Sequence, residues 1–428
     1  MTRDAPLILN RDCYCRDVSR GAIIQRILDE QAATNMEDML AERPHYFANT
    51  SVFLSDAQLG AMLAQIQAIE AVAKNPAFME HVRVRISRPQ NWLDNRSTKG
   101  VFMGYDFHIT ESGPRLIEIN SNAGGAFIAN MIEQSSQSSS GNFASQILDM
   151  FQTEWASMGR ANTFKTLAIV DENPAEQYHY PDMCLAKSLL EAQGIQVVIT
   201  DPANLRIENG KIYHGTIAID VIYNRLTDFD LTQPQNQSVR QAYDEELAVV
   251  TPAPHHHALY ADKRNLITLS DPDMLASFGV SSPQINQLKS IPKTVSVTQE
   301  NSDALWASKR SLFFKPKAGF GGRGAFRGAK LTRKVWDDIL KGGYIAQEQI
   351  KPPLRAITVD EEKKSLKFDV RVYTYDGWPL LFAARIYQGQ TTNLQTSGGG
   401  LAAVTPIPDL CLENAHFPQI AETCKLSA

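Results

Sequence analysis

The sequence predicts a mixed protein of the α/β class, with α+β character, that is built from several lobes. The chain has 428 residues, which is more than a single hydrophobic core usually serves. Between residues 161 and 255, strand-like and helical segments alternate, and such alternation produces parallel strands with helices on their faces. Helical and hairpin-like segments lie on both sides of this Rossmann-like module, so we expect further lobes around it.

The composition argues against several classes of function. Hydrophobic residues make up 43% of the chain and charged residues 21%, as in ordinary globular proteins. A net charge of -5 argues against nucleic acid or an anionic membrane as the main partner. No apolar stretch approaches the roughly 20 residues that span a bilayer. The five cysteines, including Cys13 and Cys15, show neither a disulfide framework nor a zinc-site spacing, and the first residues lack a secretion signal, so we expect free thiols in a cytoplasmic protein.

Two segments precede the Rossmann-like module. Residues 1–85 are predicted to form an N-terminal helical segment, because apolar residues recur at helical spacing after an N-cap at Ser55. In residues 86–160, two strand-like stretches, VFMGYDFHIT and PRLIEIN, are joined by a turn. Asp106 lies on the first stretch, and Glu118 and Asn120 share one face of the second because side chains alternate along a strand. Two carboxylates and an amide oxygen suit Mg²⁺ that bridges nucleotide phosphates, and a solvent-facing polar strand edge is the alternative.

Residues 161–255 contain the strand-like stretches TLAIV, IQVVIT and AIDVIYN and a helical stretch between the first two. Ligands bind where the parallel strands of such sheets end, which makes Arg225 a candidate for the substrate site. The Pro/His-rich segment that follows, with His255, His256 and His257, is interpreted as a solvated loop. Three adjacent side chains point in alternating directions and rarely converge on one metal ion.

A glycine-rich stretch, FKPKAGFGGRG, lies within residues 256–352. Glycines let backbone N–H groups approach phosphate oxygens, and lysines add positive charge. The candidate nucleotide-binding residues here are Lys315, Lys317, Gly319, Gly321, Gly322 and Gly324. Three other nucleotide-binding motifs do not fit this stretch. The helix that follows the glycines of a dinucleotide-binding fold is missing, and so are the H-R-D and D-F-G signatures of a protein kinase. The Gly-Lys-Ser/Thr of a Walker A loop is also missing. A merely flexible glycine hairpin remains as the alternative.

The order strand, Lys-Pro, glycine loop and hydrophobic strand ending in Gln347-Glu348 resembles the ATP-grasp enzymes. In that superfamily a flexible loop covers the phosphates, and the second strand forms the adenine hinge. The acid and Glu-x-Asn motif precedes the glycine loop here, as in the circularly permuted glutathione synthetases of eukaryotic type and the glutathionylspermidine synthetases. The resemblance implies a circularly permuted ATP-grasp fold with a metal-binding part in 86–160, a substrate domain in 161–255, a lid in 256–352 and the rest of the core in 353–428.

The resemblance also implies roles for individual residues. Lys263 and Lys315 resemble the two lysines that hold ATP, and Asp106, Glu118 and Asn120 resemble the Mg²⁺ ligands. The implied hinge residues are Gln347, Glu348 and Ile350. The C-terminal stretch TSGGGLAAV resembles the family's substrate loop, which implies Gly398 and Gly399 as substrate residues. Asn393, in the turn that leads to this loop, is a candidate for binding substrate or phosphate.

Arginines are the candidates for catalysis. Arg371 and Arg385 lie on two strand-like stretches that are expected to face the cleft. A planar guanidinium suits a transferring phosphoryl group or a substrate carboxylate, and paired surface arginines are the alternative. Arg88, beside the hairpin that is predicted to bind the metal, is a further candidate.

The sequence departs from the glutathione synthetases in its substrate half. Gly104-Tyr105-Asp106 stands where they have Arg-Ser-Asp, and their glycine loop contributes an acidic metal ligand that is missing here. We therefore expect an ATP- and Mg²⁺-dependent ligase that joins a small carboxylate to an amine through an acyl phosphate, but not glutathione synthesis itself. A phosphotransferase and a nucleotide-binding regulator remain as alternatives. A homodimer is compatible with the prediction.

Overall fold

The computed structural model describes residues 5–15, 18–30, 35–86, 90–93, 97–136, 142–319, 321–359 and 361–408. Within these ranges, no helix has the length and apolar character needed to cross a membrane. The helices, in chain order, are α1 (Ala5–Asp12), α2 (Arg20–Glu30), α3 (Met36–Ala41), α4 (Asp56–Ala73), α5 (Pro76–Arg83), α6 (Ala126–Ser136), α7 (Phe143–Ser157), α8 (Tyr180–Ala192), α9 (Gln237–Asp244), α10 (Pro254–His256), α11 (Asn265–Leu269), α12 (Pro272–Ser277), α13 (Ser282–Leu288), α14 (Ser302–Ser308) and α15 (Arg333–Leu340). A π-helical turn, His257–Ala261, continues α10.

The strands, in chain order, are β1 (Val52–Ser55), β2 (Met103–Thr110), β3 (Gly113–Asn120), β4 (Thr166–Val170), β5 (Gln196–Thr200), β6 (Leu205–Glu208), β7 (Lys211–His214), β8 (Ile217–Ala218), β9 (Val221–Asn224), β10 (Val249–Thr251), β11 (Thr294–Ser296), β12 (Leu312–Pro316), β13 (Phe326–Arg327), β14 (Tyr344–Glu348), β15 (Leu354–Val359), β16 (Glu362–Tyr375), β17 (Trp378–Tyr387) and β18 (Gly400–Ile407). Among the described residues they form four sheets.

The largest sheet joins both ends of the chain. Its order is β1-β18-β17-β16-β2-β3, with β15 paired to β16 outside this path. The β2–β3 hairpin forms as predicted, with Gly113 at a positive φ of 106° in its turn, a conformation that glycine adopts without strain. Because β2 pairs antiparallel with β16, the early hairpin lies beside strands from the end of the chain.

One part of the predicted N-terminal helical segment is wrong. Residues Val52–Ser55 form β1, which pairs in parallel with β18. Their apolar side chains are buried, and a β-branched and aromatic run packs well in a sheet. The helical pattern begins directly after it, where Ser55 and Gln58 form a capping box for α4.

The middle of the chain contains the predicted small parallel sheet. Its order is β10-β9-β4-β5, and every pairing is parallel. Buried apolar residues such as Leu167 and Ile169 fill the strand β4, as expected for a strand covered on both faces. A three-stranded sheet, β6-β7-β8, follows β5 and was not predicted.

A separate lobe, formed by β11 to β14 with α14 and α15, carries the glycine-rich stretch. We call it the lid after its predicted role, which stays a prediction. Its sheet has the order β11-β14-β12-β13, and α14 and α15 pack against it. A small hydrophobic cluster that includes Phe314, Trp336 and Ile339 holds this lobe together, apart from the two larger clusters of the protein.

Two further expectations are wrong. The three histidines do not lie in a solvated loop, because His255, His256 and His257 are buried at 3%, 1% and 6% exposure. The segment leads into α10. The ring of His256 accepts a hydrogen bond from the Ala253 N–H and so gives this N–H, at the start of the helix, a partner. The expected free thiols of Cys13 and Cys15 are instead joined in a disulfide.

Candidate active site

A cavity lies where the lid meets the strands β2, β3, β16 and β17 of the largest sheet. The predicted residues that line it are Glu118, Asn120, Lys263, Lys315, Gly319, Gly321, Gly322, Gln347, Glu348, Ile350, Arg371 and Arg385. They come from segments that are far apart in sequence, and the fold brings them to one place. Most of the predicted nucleotide half of the site is therefore assembled around a single space.

The strand register places the acidic residues side by side. Asp106 on β2 lies opposite Glu118 on β3, and Arg371 on β16 lies opposite Asp106. Asp369 pairs in the same way with Arg385 on β17. Because neighbouring strands point opposed residues to the same face, three acids and two arginines meet on one side of the sheet.

Asp106 is a fully buried anchor for both arginines. Its Oδ1 accepts from Arg371 Nε at 2.7 Å, and its Oδ2 accepts from Nη2 of Arg371 and of Arg385, each at 2.8 Å. The amide nitrogen of Asn120 donates to the same Oδ2 at 3.0 Å. Burial alone would raise the pKa of Asp106, but the two guanidinium charges outweigh it and lower the pKa to about 2. The metal-ligand role of Asp106 stays a prediction, since here its oxygens serve the arginines.

The two arginines are buried parts of the cavity wall. Their side chains are 10% and 11% exposed, which excludes the alternative of paired surface arginines. Asp369 is fully buried, and its carboxylate accepts from Arg385 Nε and from Thr392 Oγ1, each at 2.6 Å. The guanidinium groups are thus held in fixed orientations, as preorganised charge stabilisation requires.

Lys263 connects the hairpin to the glycine loop. Its Nζ lies 2.9 Å from Glu118 Oε1 and donates to the Gly319 carbonyl at 2.8 Å. Its backbone N–H donates to the Lys317 carbonyl at 3.0 Å. Burial would raise the pKa of Glu118, but the charges of Lys263 and Lys315 outweigh it, so the pKa is lowered and the carboxylate stays ionised.

Lys315 is held by uncharged oxygens. Its Nζ donates to the Ile117 carbonyl at 2.8 Å and to Gln347 Oε1 at 2.9 Å, and it forms no salt bridge with any carboxylate that the structure describes. Burial lowers its pKa to about 8, with an opposing contribution from Glu118. This cation is therefore the one best placed to gain an anionic partner from a ligand.

The glycine loop needs glycine for two reasons. Gly321, Gly322 and Gly324 have positive φ values of 58°, 69° and 68°, which side-chain-bearing residues adopt with strain. A Cβ on Gly322 would also lie 2.8 Å from Thr391 Cβ, whereas one on Gly321 would meet nothing within 4 Å. The loop therefore lies against the segment that follows β17, and both line the cavity.

Several predicted residues lie outside the cavity wall. Lys317 and Gly324 belong to the lid, next to the wall, and Asn393 caps its own turn by accepting from the Gln395 N–H. Gly398 and Gly399 line a different cavity, beside N-terminal residues. Arg225 is buried near the end of β9, where it donates to the Asn122 carbonyl at 2.8 Å. Arg88 lies outside the described residues. The roles given to these residues stay predictions.

Sequence reasoning missed some residues that line the cavity. His108, Phe313, Thr391 and Thr392 belong to its wall. His108 could have been found, because it lies two residues after Asp106 on the same strand and so shares its face. Thr391 and Thr392 carry no such local signal, since their place depends on how the lid meets the strand β17.

The comparisons with known proteins agree with this arrangement at the level of the fold. No family model and no curated protein matches the sequence. The apo structure of a glutathione synthetase-like effector, GSS30 from Globodera pallida, aligns over 91% of this chain and 98% of its own, with a TM-score of 0.52 at 12% sequence identity. The chain has a glutathione synthetase-like fold. The resemblance predicted from the motifs is thereby confirmed for the fold.

Two further solved structures are similar at TM-scores too low to support an argument. A gamma-glutamylcysteine synthetase candidate from Methylobacillus flagellatus KT has a TM-score of 0.44 and 14% identity, over 80% of this chain and 86% of that one. The ATP-grasp ligase PsnB, complexed with a minimal precursor, Mg and ADP, has a TM-score of 0.30 and 13% identity, over 61% and 96%. The activity of a glutathione synthetase-like fold must therefore be argued from its site.

Proposed function

We propose that the protein is an ATP- and Mg²⁺-dependent carboxylate–amine ligase of the circularly permuted ATP-grasp type. The observation that carries the proposal is one cavity, under a glycine loop, whose wall contains Lys263, Lys315, Arg371 and Arg385. Fixed cations and glycine turns together suit the charge and the oxygen-rich surface of a triphosphate.

The charge balance of the wall supports a polyanionic ligand. The two arginines are offset by Asp106 and Asp369, and Lys263 is offset by Glu118. Lys315 adds a positive charge whose hydrogen bonds, in the described part of the chain, go to a carbonyl and an amide oxygen, and its Nζ also lies 5.8 Å from the centroid of the Phe313 ring. A triphosphate would supply the anionic partner that Lys315 lacks and would compete with Glu118 for Lys263.

Glu118 and Asn120 fit a Mg²⁺ ion that arrives with the nucleotide. Mg²⁺ is commonly bound by one or two carboxylates, with phosphates and waters as its remaining ligands. No group of three or more acidic, histidine or cysteine side chains suited to a metal occurs in the described ranges, so phosphate oxygens would have to complete the site. The amide nitrogen of Asn120 donates a hydrogen bond to Asp106, so the amide oxygen of Asn120 is the atom that would bind Mg²⁺. When bound, Mg²⁺ neutralises charge on the phosphates.

The residues of the cavity can then support carboxylate activation. An oxygen of the substrate carboxylate attacks the γ-phosphorus, and the bond to the ADP oxygen breaks, which gives an acyl phosphate and ADP. An amine nitrogen attacks the acyl carbon, inorganic phosphate leaves, and the nitrogen loses a proton to give the amide. Lys263 and Lys315 hold the phosphates, while Arg371 and Arg385 face the charge that develops on the transferring group. Closure of the glycine loop keeps water from the acyl phosphate.

A substrate panel with a trap for the intermediate tests this function. The protein is incubated with Mg²⁺, ATP and pairs drawn from amino acids, short peptides and polyamines, and phosphate release and amide mass are measured. We expect phosphate release that depends on the amine, with one amide formed per phosphate, and a hydroxamate when hydroxylamine replaces the amine. A phosphorylated product without amide indicates a phosphotransferase, and nucleotide binding without turnover indicates a regulator.

A matched pair of variants links the activity to the cavity. Lys315→Met removes the ammonium group that forms no salt bridge with a described carboxylate. We expect turnover at low ATP to fall about 10- to 100-fold, as for the loss of a charged hydrogen bond. Lys330→Met removes an exposed lysine of the same lobe and is expected to retain wild-type turnover. Equal activities of the two variants would contradict the assignment of the cavity.

A further inference from the structure

One buried polar atom of the cavity wall has no hydrogen-bond partner among the described residues. His108 lies on β2, lines the cavity and is 8% exposed. Its Nε2 atom is buried and makes no hydrogen bond within the part of the chain that the structure describes. Such atoms are rare in folded proteins, because a buried polar group normally finds a partner. The atom therefore indicates a partner that a ligand supplies.

The second ring nitrogen determines the chemical character of this atom. His108 Nδ1 lies 3.0 Å from the carbonyl oxygen of Ile350. A carbonyl oxygen only accepts hydrogen bonds, so Nδ1 carries the proton and donates it. A neutral imidazole, the form that prevails at pH 7 for an ordinary histidine, has a single N–H, and Nδ1 uses it here. Nε2 therefore presents a lone pair and can only accept.

The groups around His108 do not supply a donor. Charges that act on the ring belong to Asp369, Lys315 and Arg385. Lys315 donates to the Ile117 carbonyl and to Gln347, and Arg385 is bound to two aspartates. None of these groups donates to Nε2, so within the described residues its lone pair stays open.

The place of His108 in the cavity suggests which part of a ligand it meets. Residues 347–350, the predicted hinge, line the same cavity, and the Ile350 carbonyl accepts the bond from Nδ1. The Ile350 N–H donates to no acceptor in the described ranges. Apolar side chains of Ile117 and Phe313 also belong to this wall. A flat base with a donor and an acceptor on one edge suits an apolar space that offers one N–H and one lone pair.

We infer that Nε2 of His108 accepts a hydrogen bond from the exocyclic amino group of adenine and thereby selects ATP over GTP. The inference rests on the proposed nucleotide-dependent function and adds a residue that determines its base specificity. Adenine carries an amino donor at C6, whereas guanine carries an oxygen acceptor there. An oxygen opposite Nε2 would set two lone pairs against each other. Sites that bind a polar group reject analogues that lack it strongly, because the buried partner is then left unpaired.

Two variants separate the acceptor from the hinge contact. Asn in place of His108 keeps an N–H at the position of Nδ1, which can donate to the Ile350 carbonyl, and has no atom at the position of Nε2. Gln in place of His108 has a polar group at the position of Nε2 and can provide an acceptor oxygen there. If His108 only positioned the hinge, His108→Asn would weaken ATP binding less than His108→Gln does. If Nε2 accepts a hydrogen bond from the base, His108→Asn weakens ATP binding more than His108→Gln does.

The test measures the affinity of the full chain, with Mg²⁺, for ATP, GTP and purine riboside triphosphate, which lacks any group at C6. We expect wild type to bind ATP about tenfold or more tightly than either analogue. His108→Asn is expected to bind ATP about tenfold more weakly and purine riboside triphosphate as wild type does. His108→Gln is expected to recover part of the preference for ATP.

Other outcomes overturn the inference and can be told apart. Equal binding of ATP and purine riboside triphosphate by wild type, or equal weakening of both by His108→Asn, contradicts the acceptor role while the proposed function stands. Binding of none of the three triphosphates by wild type overturns the proposed function together with this inference. Circular dichroism and thermal unfolding of each variant show whether a loss of binding comes from a loss of fold.

Discussion

The cations of the cavity differ in how the protein holds them. Asp106 and Asp369 fix the guanidinium groups of Arg371 and Arg385, while Lys315 is held by a carbonyl and an amide oxygen. A guanidinium stays protonated at any physiological pH, but a buried ammonium loses its proton more easily. The arginines are thus permanent charges, and the charge of Lys315 depends on pH.

This difference predicts a pH dependence of ATP binding. Burial lowers the pKa of Lys315 to about 8, so the ammonium form prevails below that pH and the neutral amine above it. Phosphate groups, with a second pKa of about 6, are already ionised there. We expect the Kd for ATP, measured by calorimetry, to rise by up to about tenfold per pH unit above pH 8. Lys315→Arg stays charged and is expected to show a flat profile; a wild-type profile that is equally flat would contradict the assignment.

Glu118 provides a test of the Mg²⁺ site. Glu118→Gln keeps the size of the side chain and removes the negative charge that a hard cation prefers. We expect Mg²⁺ to tighten ATP binding about tenfold in wild type and less than about twofold in Glu118→Gln. Glu348→Gln changes another carboxylate of the wall and is expected to keep the effect of Mg²⁺. If Glu118→Gln responds to Mg²⁺ as wild type does, the ion is not bound by this residue.

At the scale of elements, local patterns were predictable and pairings were not. The β2–β3 hairpin was predicted because alternation and a glycine turn lie within one short stretch. The strand β1 was missed because it is a short apolar run directly before a strong helix, and its partner β18 lies at the other end of the chain. The ion pairs of Asp106 were missed for the same reason, since they depend on the pairing of β2 with β16.

The glycine loop can be tested through its contact with the segment after β17. Ala at position 321 or 322 imposes the same kind of positive-φ strain, but only a Cβ on Gly322 meets Thr391. We therefore expect Gly322→Ala to weaken ATP binding more than Gly321→Ala, by about tenfold. Thr391→Gly removes the opposing Cβ and is expected to restore binding in the Gly322→Ala background. Identical effects of the two glycine variants would contradict a loop that closes on this segment.

The pairing of β1 with β18 predicts that the N-terminal segment stabilises the largest sheet. Leu54 is fully buried in β1, and a buried Leu→Ala change costs about 2 to 5 kcal/mol. We expect Leu54→Ala to lower the free energy of unfolding in urea by that amount. Val84→Ala, at a position that is 75% exposed, is expected to change it by less than about 0.5 kcal/mol. The same urea midpoint for both variants would mean that β1 is not part of the stable sheet.

At the scale of the whole molecule, the site is divided along the chain. The early hairpin supplies Glu118 and Asn120, the turn after the π-helix supplies Lys263, the lid supplies Lys315, and the late strands supply the two arginines. These residue types were predictable because each motif has a local chemical signature. Their distances, the counter-ions of the arginines and the open acceptor of His108 were not, because they arise only when β2 and β16 become neighbours and the lid meets them.

The central claim is that this assembled cavity activates a carboxylate by transferring the terminal phosphoryl group of ATP to it. The most direct test uses a substrate pair found in the panel, with ¹⁸O in both oxygens of the carboxylate. If an acyl phosphate forms, one labelled oxygen leaves with the inorganic phosphate when the amide is made, and mass spectrometry is expected to find one ¹⁸O per phosphate. Amide formation with unlabelled phosphate, or with the label in AMP, would contradict the claim.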